Sequence, residues 1–173
     1  MSRQLTLLAR LASDVQLMFR RPPRQQYGAL CYRVRNGDKL EVLLMTSRDT
    51  GRWVIPKGWP MNGKCAHEVA AQEAMEEAGV KGSVEMETLG AYTYPKVLRD
   101  GVRVSCKVQV YPLEVTGIAK NFKEKGERTI EWVSFDEAAG RVREPELRHL
   151  FLAFKRKLTD RLSAKAAKQI PAE

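Results

Sequence analysis

Three glutamates, Glu73, Glu76 and Glu77, occupy a five-residue stretch of a segment whose composition favours a helix. On an α-helix, positions i, i+3 and i+4 lie on one face, and their side chains are neighbours. Three like charges this close repel one another, by about 0.2–0.5 kcal/mol per pair on an open helix. Carboxylate oxygens are also the ligands that Mg²⁺ and Mn²⁺ prefer. The stretch therefore predicts either a solvated helix face or a divalent-cation site, and a cation held there would bind phosphate.

The chain is long enough for one domain with a hydrophobic core, since 43% of its 173 residues are hydrophobic. We expect an N-terminal helix or arm over residues 1–21, a single domain over 22–164 and a frayed tail over 165–173. No stretch approaches the roughly 20 apolar residues of a membrane-spanning helix, so no membrane contact is expected. The apolar N-terminal arm is compatible with a homodimer as well as with a monomer.

The three cysteines, Cys31, Cys65 and Cys106, show no paired spacing, and the N-terminal stretch lacks the features of a secretory signal. An odd number of cysteines without such a signal is typical of reduced thiols. We therefore expect a cytoplasmic protein without disulfides, in which Cys31 and Cys106 are small core residues.

The chain carries 30 lysines and arginines against 21 acidic residues, a net charge of +9. A positive balance favours anionic partners such as nucleotides, polyphosphates or RNA. Because the excess is spread over both ends of the chain, we interpret most of it as solvated surface. A few of the basic residues are then left to bind phosphate.

Hydrophobic alternation and β-branched runs predict strands, and alanine-rich or leucine-rich periods predict helices. The strands are expected at 27–35, 40–47, 53–56, 84–87, 89–95, 103–113 and 131–133, and the helices at 65–78, from 135 and from 145. A loop is expected over 57–64, and Gly79 has the position of a glycine that ends a helix. This order predicts an α+β fold, with a mixed β-sheet flanked by helices in an α/β/α sandwich.

The segment from Gly58 to Val80 resembles the Nudix box, whose family pattern is G-x5-E-x7-R-E-U-x-E-E-x-G-U, with U an aliphatic residue. The residues that match at the family's spacing are Gly58, Glu73, Ala74, Glu76, Glu77, Gly79 and Val80. The resemblance runs from about Tyr27 to Ala139. Within the family it is nearest to the diphosphoinositol polyphosphate and diadenosine polyphosphate phosphohydrolases.

Two positions depart from the box. Lys64 stands where the pattern has its first glutamate, and Gln72 stands where it has arginine. In the family the arginine orients a neighbouring glutamate, and Gln72 can do so only without charge. Glu68 is a candidate to bring its carboxylate into the position that Lys64 leaves without one.

The resemblance implies a Mg²⁺-dependent pyrophosphohydrolase, with Mn²⁺ as an alternative cation. Glu76 and Glu77 would coordinate the cation, together with the Gly58 carbonyl, and Glu73 would activate the attacking water or join the metal ligands. A further carboxylate from a distal loop is common in the family. Glu124 and Glu127 are the candidates for it, because they lie in a polar loop before the last strand.

The substrate implied is a small phosphoanhydride, such as a diphosphoinositol polyphosphate or a dinucleoside polyphosphate. Four basic residues are placed to meet its phosphates if the loops converge, namely Lys57, Arg48, Arg52 and Lys96. Trp59 either stacks on a base or covers the sheet. Two other functions stay open: a catalytically weak sensor of nucleotides or polyphosphates, prompted by Lys64 and Gln72, and an RNA 5′-pyrophosphohydrolase, which the charge permits but which we do not favour.

Overall fold

A computed structural model describes residues 22–36, 39–98 and 100–168 of the chain. The predicted N-terminal helix or arm at 1–21 lies outside these residues, as does the end of the chain from residue 169. The boundary expected at Ala164 falls inside the last helix, which is described as far as Ala167.

The described residues form eight strands and three helices. The strands are β1 (Arg24–Arg35), β2 (Lys39–Thr46), β3 (Trp53–Val54), β4 (Lys57–Gly58), β5 (Val80–Val84), β6 (Gly90–Val97), β7 (Arg103–Ile118) and β8 (Ile130–Ser134). The helices are α1 (Ala66–Ala78), α2 (Phe135–Arg141) and α3 (Pro145–Ala167). The glutamates of the box thus lie on α1, and Gly58 lies on β4.

All eight strands belong to one mixed sheet with β1 at its centre. The main order is β3-β2-β1-β7-β5, in which β1 pairs parallel with β7 and antiparallel with β2. Strand β4 adds to β1 through the partners Tyr27↔Gly58 and Gly28↔Lys57. The box glycine is therefore fixed by the central strand of the sheet.

Both faces of the sheet are covered, as the near-continuous apolar runs of β1 and β2 require. Successive residues of a strand point to opposite faces, so Ala29 and Cys31 pack with α1, whereas Leu30 and Tyr32 pack with α2 and α3. The predicted α/β/α sandwich is confirmed. Cys31 and Cys106 are buried core thiols, as expected.

Most element bounds lie within three residues of the expectations, and three elements differ by more. Lys57 and Gly58, expected in a loop, form β4, because pairing with β1 gives even two residues a regular strand geometry. The strand expected at 84–87 instead spans Val80–Val84, which pairs with the end of β7. Strand β7 continues to Ile118, since it carries β6 along its first half and β5 along its second. Within the described residues, no helix is both long and apolar enough to cross a membrane.

Candidate active site

Helix α1 lies close to the sheet because its inner face consists of small residues. Ala70, Ala74 and Ala78 are each at most 1% exposed. The close approach brings Glu73 onto the backbone of β4, where a Cβ at Gly58 would lie 2.0 Å from Glu73 Oε1. A side chain at Gly58 would therefore displace the carboxylate, which gives a physical reason for the first glycine of the box.

The end of α1 anchors a second segment of the site. Gly79 ends the helix in the left-handed region at φ 68°, and a Cβ there would lie 2.5 Å from the Phe122 ring. The backbone N–H of Ala119 donates to the backbone carbonyl of Gly79 at 2.8 Å, and the backbone N–H of Glu124 donates to the backbone carbonyl of Glu76 at 3.0 Å. These contacts dock the loop before β8 against α1 and bring Glu124 to the site.

Glu77 is buried in a network of donors. Its Oε2 accepts the Lys57 backbone N–H at 2.9 Å, and its Oε1 accepts Arg128 Nη2 at 2.5 Å. The same Nη2 lies 2.8 Å from Glu124 Oε2. Arg128 thus joins a carboxylate of α1 to one of the loop, and with 7% of its side chain exposed it is shielded from water.

Glu76 has a different environment at the edge of the site. Gln72 Nε2 donates to its Oε1 at 2.7 Å, and Lys123 Nζ donates to its Oε2 at 2.5 Å. Lys64 in turn donates to Oε1 of Gln72. Glu68 accepts the Cys65 backbone N–H at 2.8 Å, so it caps α1 instead of taking the position that the first box glutamate would have filled.

The three glutamates differ in proton affinity for identifiable reasons. Burial, followed by repulsion from Glu77 and Glu76, raises the pKa of Glu73 to about 7. Burial also raises the pKa of Glu77, although the charges of Lys57 and Arg128 oppose the shift. Hydrogen bonds from Gln72 and Lys123 lower the pKa of Glu76. Glu73 is thus the carboxylate whose charge is least compensated.

A cleft of ≈ 450 Å³ opens beside this cluster. Its lining includes Gly58, Glu73 and Glu77. It also includes the four basic residues expected to bind substrate, namely Arg48, Arg52, Lys57 and Lys96. Of the two candidate loop carboxylates, Glu124 lines the cleft and Glu127 does not. Glu76 does not line it either, because it faces Lys123 at the side.

The four basic residues have unequal partners. Arg48 Nη1 lies 3.0 Å from Glu127 and 3.3 Å from Glu124, and Arg52 pairs with the buried Glu144. The ammonium groups of Lys57 and Lys96 form no ion pair with a carboxylate among the described residues. Burial lowers the pKa of Lys57 to about 8. Lys96 Nζ lies 5.1 Å from the centre of the Trp59 ring.

The donor set fits a hard divalent cation in its chemistry, because Glu73, Glu77 and Glu124 offer oxygen atoms to one cleft. Burial raises the pKa of Glu73 most, followed by repulsion from Glu77 and Glu76, and a bound cation relieves that repulsion. Among the described residues, however, no three histidine, cysteine or acidic side chains converge on one metal position. Arg128 lies between two of the carboxylates and neutralises part of their charge.

A family profile described as NUDIX domain matches residues 24–161, which is most of the chain. The chain belongs to the Nudix family. Nudix hydrolase 16, mitochondrial, of Arabidopsis thaliana is 32% identical over 130 residues, covering 68% of this chain and 72% of that protein. Nudix hydrolase 21, chloroplastic, of the same plant is 30% identical over 158 residues, covering 87% and 75%. The enzyme class is accordingly that of a Nudix-type pyrophosphohydrolase.

Solved structures share the Nudix fold at lower identity. A binary complex of the C. elegans Ap4A hydrolase has a TM-score of 0.59 and 22% identity, covering 79% of this chain and 98% of that one. The MutT protein from Methanosarcina mazei Go1 has a TM-score of 0.55 and 20% identity, covering 79% and 96%.

Several residues of the site were not predicted from the sequence. Arg128 organises the carboxylates, Lys123 holds Glu76, and Glu144 holds Arg52. For Tyr94 the sequence favours core packing or cross-strand pairing over a place in a substrate cleft; the side chain is buried and also lines the cleft, and its hydroxyl donates to Gln26 at 2.7 Å. The one usable signal was position, since Lys123 and Arg128 lie in the same polar loop as Glu124.

Proposed function

We propose that this Nudix enzyme is Mg²⁺-dependent, with Mn²⁺ as a possible substitute, and cleaves a diphosphate linkage in a small anionic phosphoanhydride. The observation that carries the proposal is the Glu73 carboxylate seated against Gly58 in the wall of the cleft. Its pKa is raised to about 7 by burial and by its two neighbouring glutamates. Such a group suits both a cation ligand and a general base near neutral pH.

In this proposal Gly58, Glu73, Glu76 and Glu77 would hold the cation, and Glu76 would have to turn from Lys123 toward the cleft to do so. A bound cation supplies positive charge to the phosphate oxygens and lowers the pKa of a bound water. Glu73 orients the attacking water or accepts its proton at a carboxylate oxygen. Of the two loop candidates, Glu124 is the one assigned to assist, because it lines the cleft and shares Arg128 with Glu77.

Lys57 and Lys96 are assigned to the phosphate chain, since neither has an ion pair with a carboxylate among the described residues. Arg48 and Arg52 line the same cleft and are assigned to the substrate as well. Their carboxylate partners fix the directions of the two guanidinium groups. The substrate class is a dinucleoside polyphosphate or a diphosphoinositol polyphosphate. The fold likeness to an Ap4A hydrolase supports the former.

The test is a panel of phosphoanhydrides assayed with Mg²⁺, with Mn²⁺ and with chelator. Wild type is compared with Glu73→Gln and Glu77→Gln, and Glu68→Gln serves as the control because it makes the same charge change on the same helix outside the cleft. We expect turnover only with a divalent cation, and a loss of at least about 100-fold in the first two variants. Circular dichroism checks that each variant is folded. Turnover in chelator, or full activity in Glu73→Gln, would contradict the proposal.

A second candidate function is a sensor that binds nucleotides or polyphosphates with weak catalysis. Lys64, Gln72 and the position of Arg128 between Glu77 and Glu124 favour it. Calorimetry with Mg²⁺ separates the two functions, because a sensor retains ligand binding without binding Mg²⁺ at millimolar concentration. An RNA 5′-pyrophosphohydrolase remains the third candidate, and a steep fall of RNA affinity with salt is expected for it.

We also propose a cytoplasmic location and a monomer or homodimer. The cysteine pattern supports the location, whereas several relatives carry mitochondrial or chloroplastic in their names. Imaging of the tagged full chain tests the location. Light scattering at several concentrations tests the oligomeric state.

A further inference from the structure

Glu144 is a buried carboxylate that breaks two local rules of protein structure. It occupies the N-cap position of α3, yet its side chain accepts no hydrogen bond from that helix. Its Oε2 is also the only buried side-chain polar atom without a hydrogen-bond partner among the described residues. A helix start without a side-chain cap and an unpaired buried acceptor both lower stability. Natural proteins break such rules mainly at functional sites, so the position of this carboxylate calls for a function.

The side chain of Glu144 is directed to Arg52 instead. Its Oε1 accepts a hydrogen bond from Arg52 Nη1, although 92 residues of chain separate the two. The pair is shielded from water, with 16% of the arginine side chain and 7% of the glutamate side chain exposed. Arg52 lines the cleft and Glu144 does not. The carboxylate therefore contacts the arginine from outside the cleft.

Arg52 keeps most of its donors available. A guanidinium group has five N–H donors, and the bond to Glu144 is the one side-chain hydrogen bond of Arg52 in the described part of the chain. Its Cζ lies 5.2 Å from the centre of the Tyr94 ring, close enough for a cation–π contact. The Tyr94 hydroxyl in turn donates to Gln26 at 2.7 Å. A carboxylate and an aromatic ring thus hold the guanidinium, while its other N–H groups can contact a phosphate in the cleft.

Burial makes this ion pair hard to separate. If Arg52 moved away, it would leave an uncompensated carboxylate in the interior, which costs far more than breaking an exposed pair. The other arginine pair of this kind, Arg48 with Glu127, has 53% and 47% of its side chains exposed. Water can replace either partner there. Arg52 is therefore held more firmly than Arg48.

We propose that Glu144 is a positioning residue, which holds Arg52 so that the remaining N–H groups of the guanidinium bind a phosphate group of the substrate. This role requires an acceptor oxygen at a fixed distance from Arg52, and not only a negative charge near it. The inference rests on the proposed function, which assigns Arg52 to the substrate. Glu144 precedes α3 and is no part of the apolar face of that helix.

The test uses methylenediphosphonate, a diphosphate analogue whose P–C–P bridge resists hydrolysis, so that calorimetry in Mg²⁺ measures binding without turnover. Glu144→Gln keeps an acceptor oxygen at the same distance and removes the charge. Glu144→Asp keeps the charge and withdraws the carboxylate by one carbon–carbon bond, about 1.5 Å. Glu144→Leu removes both the acceptor and the charge. Each change is also made in Arg52→Met, which lacks the guanidinium, and urea unfolding checks that each variant is folded.

We expect Glu144→Asp and Glu144→Leu to weaken binding by about tenfold or more, the usual effect of losing one hydrogen bond to a charged group. Glu144→Gln should stay within about threefold of wild type, since its amide oxygen can still accept from Arg52. In Arg52→Met the three changes should alter affinity by less than about twofold, because no guanidinium is left to position.

Glu41→Leu is the matched control. Glu41 is a similarly buried carboxylate, 7% exposed, and it pairs with Arg33 at 2.8 Å outside the cleft. Its loss should change the affinity for the analogue by less than about twofold, because neither partner contacts the site.

Four results would overturn the inference. Weaker binding by Glu144→Gln than by Glu144→Asp would mean that the charge matters and the distance does not, and this comparison decides even where Glu144→Leu does not fold. Tighter binding by Glu144→Leu would mean that Glu144 only neutralises Arg52. Equal losses with and without Arg52 would indicate a structural role, and a wild type that binds no analogue would leave Arg52 without a phosphate. Failure of the proposed function looks different, because the analogue then binds through Arg52 while no phosphoanhydride is hydrolysed.

Discussion

Helix α1 packs on one face of the sheet through three alanines, whereas α3 packs on the opposite face through leucine and phenylalanine side chains. The alanines are Ala70, Ala74 and Ala78; the large residues are Leu147, Phe151, Phe154 and Leu158. Small side chains let a helix approach the sheet closely, and large ones hold it further away while burying more apolar area.

The two helix layers therefore contribute differently, one to stability and the other to the geometry of the site. The α3 layer supplies apolar burial, since Phe135, Phe151 and Phe154 form contacts with ring centres 6.3–6.4 Å apart. The α1 layer holds the helix close to the sheet, so that the Glu73 carboxylate lies against the backbone of β4 at Gly58. We therefore expect mutations on the α3 side to change stability and those on the α1 side to change activity.

The largest expected effect is on the α3 side. Phe151 is fully buried, so Phe151→Ala should lower the free energy of unfolding by about 3–5 kcal/mol through lost burial and an unfilled cavity. Hydrolysis per folded molecule should stay within about twofold of wild type, since the residue does not line the cleft. Urea unfolding and active-site-normalised turnover measure the two quantities. Phe151→Leu removes less side-chain volume and should destabilise the protein less. A large loss of activity in folded Phe151→Leu would refute the view that the α3 side affects stability and not activity.

On the α1 side, Gly58→Ala should lower the rate of hydrolysis strongly. A Cβ at this position falls 2.0 Å from Glu73 Oε1, so the carboxylate has to move by about an ångström or more. A displacement of that size in a catalytic group costs on the order of 100-fold in rate. Gly117→Ala is the control, because a Cβ there meets nothing within 4 Å. Equal rates for the two alanine variants would show that Glu73 does not need its position against β4.

The sequence was sufficient to predict the sandwich and the line of box residues, because hydrophobic period and fixed spacing are local properties of the chain. It was not sufficient for β4, since a two-residue strand exists only through its pairing with β1. The end of β7 was missed for a similar reason, because Leu113–Ile118 pairs with a strand more than 25 residues earlier in the chain. Long-range pairing overrides local propensity at both places.

The ion pairs of the site were also beyond sequence reasoning. Arg128 binds Glu77 across 51 residues of chain, and Arg52 binds Glu144 across 92. The departures from the box at Lys64 and Gln72 could be identified from the sequence, where both positions carry polar residues on or next to α1. Their consequence could be known only once their contacts had been described.

A smaller effect is expected when the cation-free protein is titrated. The pKa of Glu73 is raised to about 7, above the ordinary glutamate value, so the folded state binds more protons than the unfolded state between roughly pH 4.5 and 7. Stability from this group therefore falls as the pH rises through that window. Glu73→Gln should melt at the same temperature as wild type near pH 4 and a few degrees higher at pH 8. Mg²⁺ should reverse the order at pH 8, since only the carboxylate binds it.

Thermal melts by circular dichroism in chelator and in Mg²⁺ test this prediction. Glu68→Gln is again the control, because it removes a charge from α1 outside the cluster. A melting difference between Glu73→Gln and wild type that is constant with pH would contradict the raised pKa of Glu73, which has burial as its first cause and repulsion from Glu77 and Glu76 as its second. The α1 side would then lack the electrostatic cost that distinguishes it from the apolar α3 side.

The smallest effect concerns the two departures from the box. The ammonium group of Lys64 can only donate, so its bond to Oε1 of Gln72 turns the amide nitrogen toward Glu76, which accepts it at 2.7 Å. Without Lys64 the amide is free to rotate. We therefore predict that Lys64→Met and Gln72→Leu each weaken Mg²⁺ binding severalfold. The double variant should be no weaker than Gln72→Leu alone, a coupling of about 0.5 kcal/mol or more. Calorimetric titration of the four proteins with Mg²⁺ measures it. Tighter Mg²⁺ binding in Lys64→Met would mean that Lys64 acts on the site by charge repulsion, and additive losses would mean that it does not act through the amide.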